Sequence, residues 1–380
     1  MSGHGAHRDW DAIVVGGGPA GSTAAWRLAR GGARVVVLDA ARFPRLKLCA
    51  GWVTPGVWRA LEIDPAAYPR TIQPFADATI ELDGEVLATH WPRAVSYGIV
   101  RREFDEFLLR RAEQAGAVVR EGIRVTGIGH DGDLVSIETG DDVVRAPLVI
   151  GAGGHNCPVA RACGEISAGE AVVVTRESET RVGKSLLREL TARCGTPELF
   201  AEADFRGYGW YFTKGDFLNV GIGCLGDGRD LHRRFDAMIA RLRDDGRLPA
   251  GLELEPFRGH AYAIRIDHPR RVAGDGFLLV GDAAGLARGV SGEGIGPAVE
   301  SAVLAAESVL GVGGSAATRP AVARSYAEQI AARFGAGRPG VVERLLTALP
   351  GRVTDGIARV VCRAPYLRRR LIFQGAFGMG

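Results

Sequence analysis

Short apolar runs that end in glycine alternate with helical periodicity at the start of the chain. Ala12–Val15 is apolar throughout and is followed by glycines, which is typical of a buried parallel strand. Ser22–Arg30 then has helical spacing, and Gly31-Gly32 supplies its end. Val35–Leu38 is a second apolar run that ends at Asp39. This strand–helix–strand order predicts a βαβ unit.

The pattern changes after residue 51. Proline-rich turns precede an alternating segment, Ala78–Leu87, and Asp83-Gly84 interrupts it, which predicts an antiparallel hairpin. Helical periodicity returns over Arg102–Gly116, and further strands lead to Leu148–Ile150. A helix is predicted near Leu231–Leu242. It is surrounded by strand-like segments at Ala171–Thr175, Tyr208–Phe212 and Leu218–Ile222.

A third apolar strand is predicted at Phe277–Val280. It leads into glycine-rich sequence and a helix over Pro297–Leu310, and the remainder to Gly380 reads as helical and rich in arginine. The chain contains no apolar run near the roughly 18 residues that a membrane span needs. Met1–Trp10 lacks the apolar core of a signal peptide. We therefore expect a cytoplasmic protein that contacts a membrane at most peripherally, at its inner face.

Composition narrows the functional classes. A length of 380 residues, 46% hydrophobic and 24% charged, is ordinary for a globular protein with two intertwined domains. The formal net charge of +3 is too small to indicate a nucleic-acid partner. The 6 cysteines form neither a C-x-x-C pair nor zinc-like spacing. They are expected to be reduced thiols, with no metal site.

The first motif with chemical content is the segment Gly16-Gly17-Gly18-Pro19-Ala20-Gly21 between the first strand and helix. Gly16 permits the tight turn, Gly18 lets the backbone approach a pyrophosphate, and Gly21 lets the helix pack closely on the sheet. The helix N-terminus offers free N–H groups to phosphates. Asp39 is placed to accept hydrogen bonds from ribose hydroxyls, which favours FAD or NAD over NADP.

A second glycine-rich motif follows the third strand. Gly281-Asp282 stands at the strand end and Ser291–Gly296 precedes a helix. Asp282 is placed to hold a sugar-alcohol hydroxyl. The positive end of the helix can face a delocalised ring anion. The two motifs together predict a flavin site.

These segments carry a family resemblance. Together with Val100-Arg101-x-x-Phe104-Asp105 and Gly151-Ala152-Gly153-Gly154, they resemble FAD-dependent oxidoreductases of the p-hydroxybenzoate hydroxylase fold, and within them the geranylgeranyl reductase family. The narrower likeness is carried by Arg45-x-Lys47-x-Cys49-Ala50-Gly51 and by Tyr208-Gly209-Trp210-Tyr211-Phe212-Thr213-Lys214-Gly215. Ala50 and Thr213 depart from that family's glycine and proline, which weakens the inference about substrate but not about cofactor.

The resemblance implies an α/β fold with a Rossmann-type FAD-binding domain, an inserted antiparallel-sheet substrate domain and a helical C-terminus. We expect the FAD-binding domain to comprise residues 10–51, 95–165 and 270–310. The substrate domain would comprise residues 52–94 and 166–269, and residues 311–380 would form the C-terminal helical region.

The resemblance also implies roles for individual residues. The residues expected to bind FAD are Gly16, Gly18, Pro19, Ala20, Gly21, Asp39, Lys47, Cys49, Arg101, Gly281, Asp282, Gly292, Glu293, Gly294 and Ile295. The residues expected to serve catalysis are Cys49, Tyr208 and Trp210. Cys49 is either a redox or acid–base thiol beside the flavin or a small buried side chain. Tyr208 and Trp210 alternate along a strand, so they either face one cavity or pack in a core. His260 is expected to be structural.

The family likeness implies that reduced flavin transfers a hydride to a carbon–carbon double bond of a lipophilic, polyprenyl-type substrate. Two alternatives stay open: a monooxygenase that hydroxylates a small molecule or natural product, and a non-catalytic electron-transfer flavoprotein. Gly311–Gly314 follows a helix, so it is not a second dinucleotide fingerprint. The flavin would then be reduced by transient NAD(P)H or by another carrier, such as an electron-donor protein.

The C-terminal segment Arg333–Gly380 holds 9 arginines against Glu343 and Asp355, a local excess of 9 − 2 = 7 positive charges. Apolar residues are interleaved with them, among them Leu345, Leu346, Leu349, Leu367, Ile372 and Phe373. Such a segment can lie on an anionic membrane surface. The alternative is a solvated helical face packed on the body of the protein.

Overall fold

A computed structural model describes the chain. The described residues are 10–140, 142–167, 169–183, 186–187, 195–202, 205–226, 228–249, 251–264, 269–289, 291–312, 318–335 and 351–379. Cys194, Gly313, Gly314, Glu343, Leu345, Leu346 and Leu349, which the sequence singles out, lie outside these ranges.

The first βαβ unit has the predicted order. Its elements are β1 (Ala12–Val15), α1 (Pro19–Arg30) and β2 (Val35–Asp39). Helix α1 begins three residues earlier than predicted, because Pro19 at its first position fixes a helical φ and Gly18 takes an extended N-cap conformation. Both strands are buried almost throughout, as expected for the interior of a parallel sheet.

The strands up to residue 151 continue as follows: β3 (Trp52–Val53), β4 (Ile72–Phe75), β5 (Asp77–Leu82), β6 (Glu85–His90), β7 (Ser96–Ile99), β8 (Val118–Glu121), β9 (Gly127–Asp131), β10 (Leu134–Glu138), β11 (Val143–Ala146) and β12 (Val149–Gly151). The predicted hairpin is β5–β6, and Asp83 and Gly84 turn it with φ of 53° and 81°.

The later strands are β13 (Val172–Arg181), β14 (Glu198–Ala201), β15 (Gly207–Lys214), β16 (Phe217–Leu225), β17 (Arg258–Ala263), β18 (Ala273–Gly274) and β19 (Phe277–Leu279). The helices after α1 are α2 (Pro55–Leu61), α3 (Arg101–Gln114), α4 (Pro158–Ala162), α5 (Leu231–Asp244), α6 (Ile295–Val312), α7 (Arg319–Phe334), α8 (Gly351–Arg363) and α9 (Pro365–Leu367). A π-helical segment follows at Arg368–Ala376, and 3₁₀ turns lie at Pro65–Ala67 and Gly281–Ala284.

A six-stranded sheet in the order β18-β19-β12-β1-β2-β8 forms the first layer. All neighbours in it are parallel except β18 and β19. Val15 is in register with Gly151, and Gly151 with Leu279. The three glycine segments that follow β1, β12 and β19 therefore meet at one carboxyl edge, where doubly wound sheets bind their ligands.

A seven-stranded sheet in the order β17-β13-β16-β15-β14-β5-β6 forms the second layer. Its strands come from both segments predicted for the substrate domain. A small sheet, β3-β7-β4, joins residues on either side of position 95, and β9–β11 form a separate three-stranded sheet. The β3-β7-β4 sheet pairs strands from both sides of the predicted boundary at residues 94 and 95, and the domain bounds stay a prediction.

Helix α6 is long and apolar enough to cross a membrane by length and composition, but 61% of its span is buried inside the protein. It packs against α1 and α7. Ala302 and Ala305 are completely buried in the core that underlies the six-stranded sheet. The helix is therefore the core helix of the dinucleotide-binding layer.

Candidate active site

One cavity of about 950 Å³ lies between the carboxyl edge of the six-stranded sheet and one face of the seven-stranded sheet. All the predicted catalytic residues line it: Cys49, Tyr208 and Trp210. Of the predicted cofactor residues, those that line it are Gly16, Gly18, Pro19, Ala20, Asp39, Lys47, Arg101, Asp282, Gly292, Glu293, Gly294 and Ile295. Gly21 lies behind this surface against Gly16 and Val14, and Gly281 lies against Ala20 of α1 and Ala298 of α6.

The first glycine turn has the geometry that its sequence predicts. Gly16 has φ of 109°, and a Cβ there would lie 2.5 Å from the Ala152 carbonyl oxygen. A Cβ on Gly21 would lie 1.8 Å from the Gly16 oxygen, so only glycine allows this helix–strand contact. At Gly18 the N-cap has no side-chain partner. The first N–H groups of α1 thus face the cavity, as a pyrophosphate site requires.

Two charged residues flank this turn. The Asp39 carboxylate accepts hydrogen bonds from the Gly17 N–H (2.6 Å) and the Ala41 N–H (2.8 Å), which fixes it at the cavity edge. Arg45 lies near the other side of the glycine turn, since its guanidinium would be 3.3 Å from a Cβ on Gly18. It also pairs with Asp105 at 3.3 Å. The site therefore offers an acid for ribose hydroxyls and a cation for phosphate.

The second motif is held from behind by a buried arginine. Asp282 lies in the 3₁₀ turn Gly281–Ala284, and the Gly281 N–H donates to the Ser301 hydroxyl at 2.9 Å. Arg270 donates to the carbonyl oxygens of Asp282 (3.3 Å) and Ala283 (3.0 Å) and forms a bidentate pair with Glu170. These bonds hold the turn so that Asp282 faces the cavity.

The loop before α6 is fixed against the seven-stranded sheet. The Tyr208 hydroxyl donates to the Ser291 carbonyl, and a Cβ on Gly292 would lie 2.5 Å from the Tyr262 hydroxyl. Burial raises the pKa of Glu293 to about 7, although Arg288 lies 3.0 Å from its carboxylate. Residues 292–295 line the cavity at this loop.

The segment with Lys47 and Cys49 lies between the two sheets. Lys47 Nζ is 2.8 Å from His260 Nε2, and burial is the main reason that the pKa of each is lowered, that of His260 to about 4. Neutral His260 therefore accepts from the Lys47 ammonium. His260 lies within β17, and its side-chain partner is Lys47. The Gly51 N–H donates to the half-buried Cys49 Sγ at 3.3 Å.

Arg101 stands at the start of α3 and is buried in its ion pair. Its guanidinium makes two hydrogen bonds of 2.8 Å to Asp105 and faces the Cys49 thiol. The sequence motif Arg101-x-x-Phe104-Asp105 therefore encodes an ion pair that lines the cavity.

Aromatic side chains form the opposite wall. Tyr208 and Trp210 both face the cavity from β15, with ring centroids 6.1 Å apart. The Trp210 Nε1–H donates to Asn219 at 2.6 Å. Phe377 closes the wall, 5.4 Å from the Trp52 ring and 5.8 Å from the Tyr208 ring. Trp210 belongs to a hydrophobic core as well, so cavity lining and packing coexist.

Several site residues escaped the sequence reasoning. Arg45 and Lys214 belong to quoted motifs, so the motifs could have revealed them. Tyr262 and Glu177 come from strands without a recognisable pattern, and Phe377 comes from the C-terminal segment. Their proximity depends on how the two sheets face each other, which no local signal encodes.

The residues present fit FAD. The site contains a glycine cradle that a Cβ would fill, a cation beside it, and an acid at each strand end. These features match the parts of a dinucleotide. Among the described residues, no group of three or more His, Cys, Asp or Glu side chains could hold a metal ion. Among the described residues, Cys49, Cys157, Cys163 and Cys362 are free thiols. The fold and the site together define an FAD-dependent oxidoreductase.

Comparison with known proteins agrees. Residues 9–319 match the family described as FAD binding domain, and the chain belongs to that family. Menaquinone reductase of Mycolicibacterium smegmatis is 31% identical over 321 residues, covering 78% of this chain and 75% of the relative. Protein FixC of Salmonella typhi is 30% identical over 335 residues, covering 79% and 76%.

A solved structure shares the fold. A geranylgeranyl bacteriochlorophyll reductase-like protein from Thermoplasma acidophilum superimposes with a TM-score of 0.78 at 21% identity, covering 97% of this chain and 96% of that one. The predicted fold class, FAD cofactor and family resemblance are confirmed. The roles of individual site residues stay predictions.

Proposed function

We propose that the protein is a reductase that saturates a carbon–carbon double bond of a lipophilic, polyprenyl-type substrate. Reduced FAD, when bound, supplies the hydride, and the chain supplies binding, orientation and exclusion of water. NAD(P)H or another electron carrier, docking transiently, is the proposed source of electrons.

The observation that supports this proposal most directly is that the FAD cradle and an aromatic wall share one cavity. That wall and its apolar neighbours are Trp52, Leu199, Tyr208, Trp210, Phe212, Phe377 and Met379. Burying apolar surface contributes about 25 cal/mol per Å², so a long hydrocarbon chain gains affinity here without polar contacts. A pocket of this size is at the upper end of ordinary ligand sites, as a cofactor plus a second molecule requires.

The relatives support the same class of substrate. One is named menaquinone reductase, which indicates that a relative of this chain acts on a lipid-soluble quinone. Menaquinone and geranylgeranyl-type lipids are therefore the first compounds to test.

In this proposal the wall residues bind and orient the substrate. Tyr208 is committed through its hydroxyl to the Ser291 carbonyl, so its ring is fixed between the flavin loop and the wall. Trp210 is held through Asn219 in the same way. Cys49 is the side chain of the Lys47 segment that faces Arg101, and we propose that its thiol packs against the reacting portion of the substrate.

Product analysis tests the proposal. The purified holoenzyme is reduced with dithionite without oxygen and mixed with a geranylgeranyl-type lipid or with menaquinone; mass spectrometry then reads the product. The expected product carries two additional hydrogen atoms on its isoprenoid chain, located by fragmentation, and an analogue with a fully saturated chain gains none there. A product that contains an added oxygen atom, formed only in air, would instead establish a monooxygenase. The absence of both products would favour an electron-transfer flavoprotein.

A further inference from the structure

Three ionisable side chains lie on the cavity-facing side of the seven-stranded sheet. Glu177 and Glu179 project from β13 in the same direction, two residues apart. Lys214, at the end of β15, reaches back across β16 and donates to the Glu179 carboxylate. None of them was a predicted site residue.

Glu177 faces the cavity beside the aromatic wall. It is 2% exposed and lines the cavity. Gly221 stands between it and Trp210 on β16: a Cβ there would lie 2.3 Å from the Trp210 ring and 2.7 Å from the Glu177 Cβ. The missing side chain lets the indole and the glutamate lie side by side, where a bound substrate would meet both.

The groups around Glu177 come from four elements besides its own strand. They are Lys214 of β15, the Cys49 backbone N–H, Arg101 of α3 and Tyr262 of β17, while Glu179 adds a like charge from the same strand. Burial raises the pKa of Glu177 to about 7 against the opposing effect of Lys214. A substantial fraction of Glu177 is then protonated at neutral pH.

The other two residues connect this site to the surface. Lys214 is completely buried, whereas 18% of the Glu179 side chain is exposed. Gly51 makes room for the lysine, since a Cβ there would lie 2.9 Å from Lys214 Nζ. Lys214 thus lies between the partly exposed Glu179, to which it donates, and Glu177, whose charged form it favours.

We propose that Glu177 is the acid that protonates the substrate during reduction of the double bond, and that Lys214 and Glu179 return the proton to it from solvent. The inference rests on the proposed function. Bound reduced FAD would supply a hydride, and with it two electrons, for one C–H bond. The Glu177 O–H bond would break as the second C–H bond forms, and the carboxylate would be reprotonated through Lys214.

Two other acids of the cavity, Tyr208 and Glu293, have partners elsewhere. The Tyr208 hydroxyl donates to the Ser291 carbonyl, and burial raises its pKa beyond the physiological range. Glu293 pairs with Arg288 on the flavin loop. Glu177 is the carboxyl group that stands against the substrate wall, beside Trp210.

The test compares Glu177→Gln with Glu198→Gln in anaerobic single-turnover reactions of the reduced holoenzymes. Glu198 is a buried carboxylate on the opposite face of the same sheet, paired with Arg247 at 3.1 Å. General acids contribute about 10²–10⁴-fold, so Glu177→Gln should slow formation of the saturated product by that factor while FAD content and reduction by dithionite stay unchanged. Glu198→Gln should match the wild type.

A second measurement does not depend on turnover. Urea unfolding of the wild type and of Glu177→Gln, each as the holoenzyme at fixed FAD concentration and at several pH values, reports the protonation of Glu177. Its folded pKa of about 7 lies above the usual 4.5, so the wild type should lose stability relative to Glu177→Gln as pH rises through that window. A pH-independent difference would overturn the assignment.

The outcomes separate the two claims. Equal rates of saturation by the wild type and Glu177→Gln would refute the role of Glu177 and leave the reductase standing. If the wild type and Glu198→Gln both fail to saturate any lipid, the proposed function itself fails, and the role of Glu177 falls with it.

Discussion

At the scale of single residues, the FAD half of the site depends on backbone that only glycine allows. We expect Gly16→Ala to lower the free energy of unfolding by roughly 2–3 kcal/mol, because φ is 109° and the new Cβ would meet the Ala152 carbonyl. Purified protein should retain less FAD. Thermal unfolding and flavin absorbance per protein measure the two effects.

Gly32→Ala is the matched control. Gly32 has φ of 84°, but no atom lies within 4 Å of the added Cβ. It should cost about 1 kcal/mol from backbone strain alone and leave FAD content unchanged. Equal losses in the two variants would mean that close packing at the glycine turn is unimportant.

A second prediction at this scale concerns His260. Its folded pKa of about 4 lies below the usual 6.5, so the folded state binds fewer protons than the unfolded state between these values. Stability therefore rises with pH through this window and is lost as pH falls from 6.5 to 4. His260→Gln, which keeps an acceptor for Lys47, should remove roughly 1–3 kcal/mol of this dependence.

The exposed His232 on α5 provides the comparison. His232→Gln should leave the acid dependence of urea unfolding as it is in the wild type. An unchanged acid limb in His260→Gln would show that the histidine is charged in the folded protein.

At the scale of elements, the 3₁₀ turn that carries Asp282 depends on Arg270. Removing one partner of a buried ion pair leaves the other charge unpaired, so Arg270→Met should cost about 3–5 kcal/mol and weaken FAD binding. Its neighbour Arg271 pairs with Glu165 at the surface, and Arg271→Met should cost less than about 1 kcal/mol. Calorimetry and FAD titration distinguish the two variants. Equal effects would contradict the role of Arg270 in holding the turn that carries Asp282.

Some elements of the site were predictable from the sequence, and others were not. The glycine turns at β1 and β19 were predictable because their function requires consecutive residues with a fixed spacing. The pair of Lys47 and His260, which are 213 positions apart, was not predictable. Its formation depends on how two sheets face each other, and each residue alone fits an ordinary surface or core position.

At the scale of the whole molecule, the arginine-rich C-terminus is partly used for packing. Arg368 is buried and donates to Thr89 and to the Ala88 and Cys362 carbonyls, while Arg359 and Arg363 pair with Asp83. These arginines attach the segment to the β5–β6 hairpin. The predicted membrane contact must therefore use other residues.

We propose that α8 supplies that contact at the inner face of the membrane. Val353, Ile357 and Val360 are 45%, 42% and 61% exposed and recur at helical spacing. Arg369 and Arg370 lie exposed farther along and complement anionic lipid. Such a surface would bring a lipophilic substrate to the protein.

Vesicle co-sedimentation tests the contact. Binding to vesicles that contain phosphatidylglycerol should exceed binding to phosphatidylcholine vesicles, and Val360→Asp should reduce it several-fold. Val118→Asp, at a 41% exposed valine on the edge strand β8, is the control and should bind like the wild type. Equal binding by both variants would show that α8 does not make the membrane contact.

The central claim is that reduced FAD in this cavity passes its electrons to a lipid double bond rather than to oxygen. The most direct measurement is stopped-flow absorbance of the dithionite-reduced holoenzyme, mixed in parallel with anaerobic geranylgeranyl-type lipid and with air-saturated buffer. The account predicts lipid-dependent, saturable reoxidation without oxygen and slower reoxidation in air. Flavin that stays reduced until oxygen enters, and reoxidises faster when lipid is present, would contradict it.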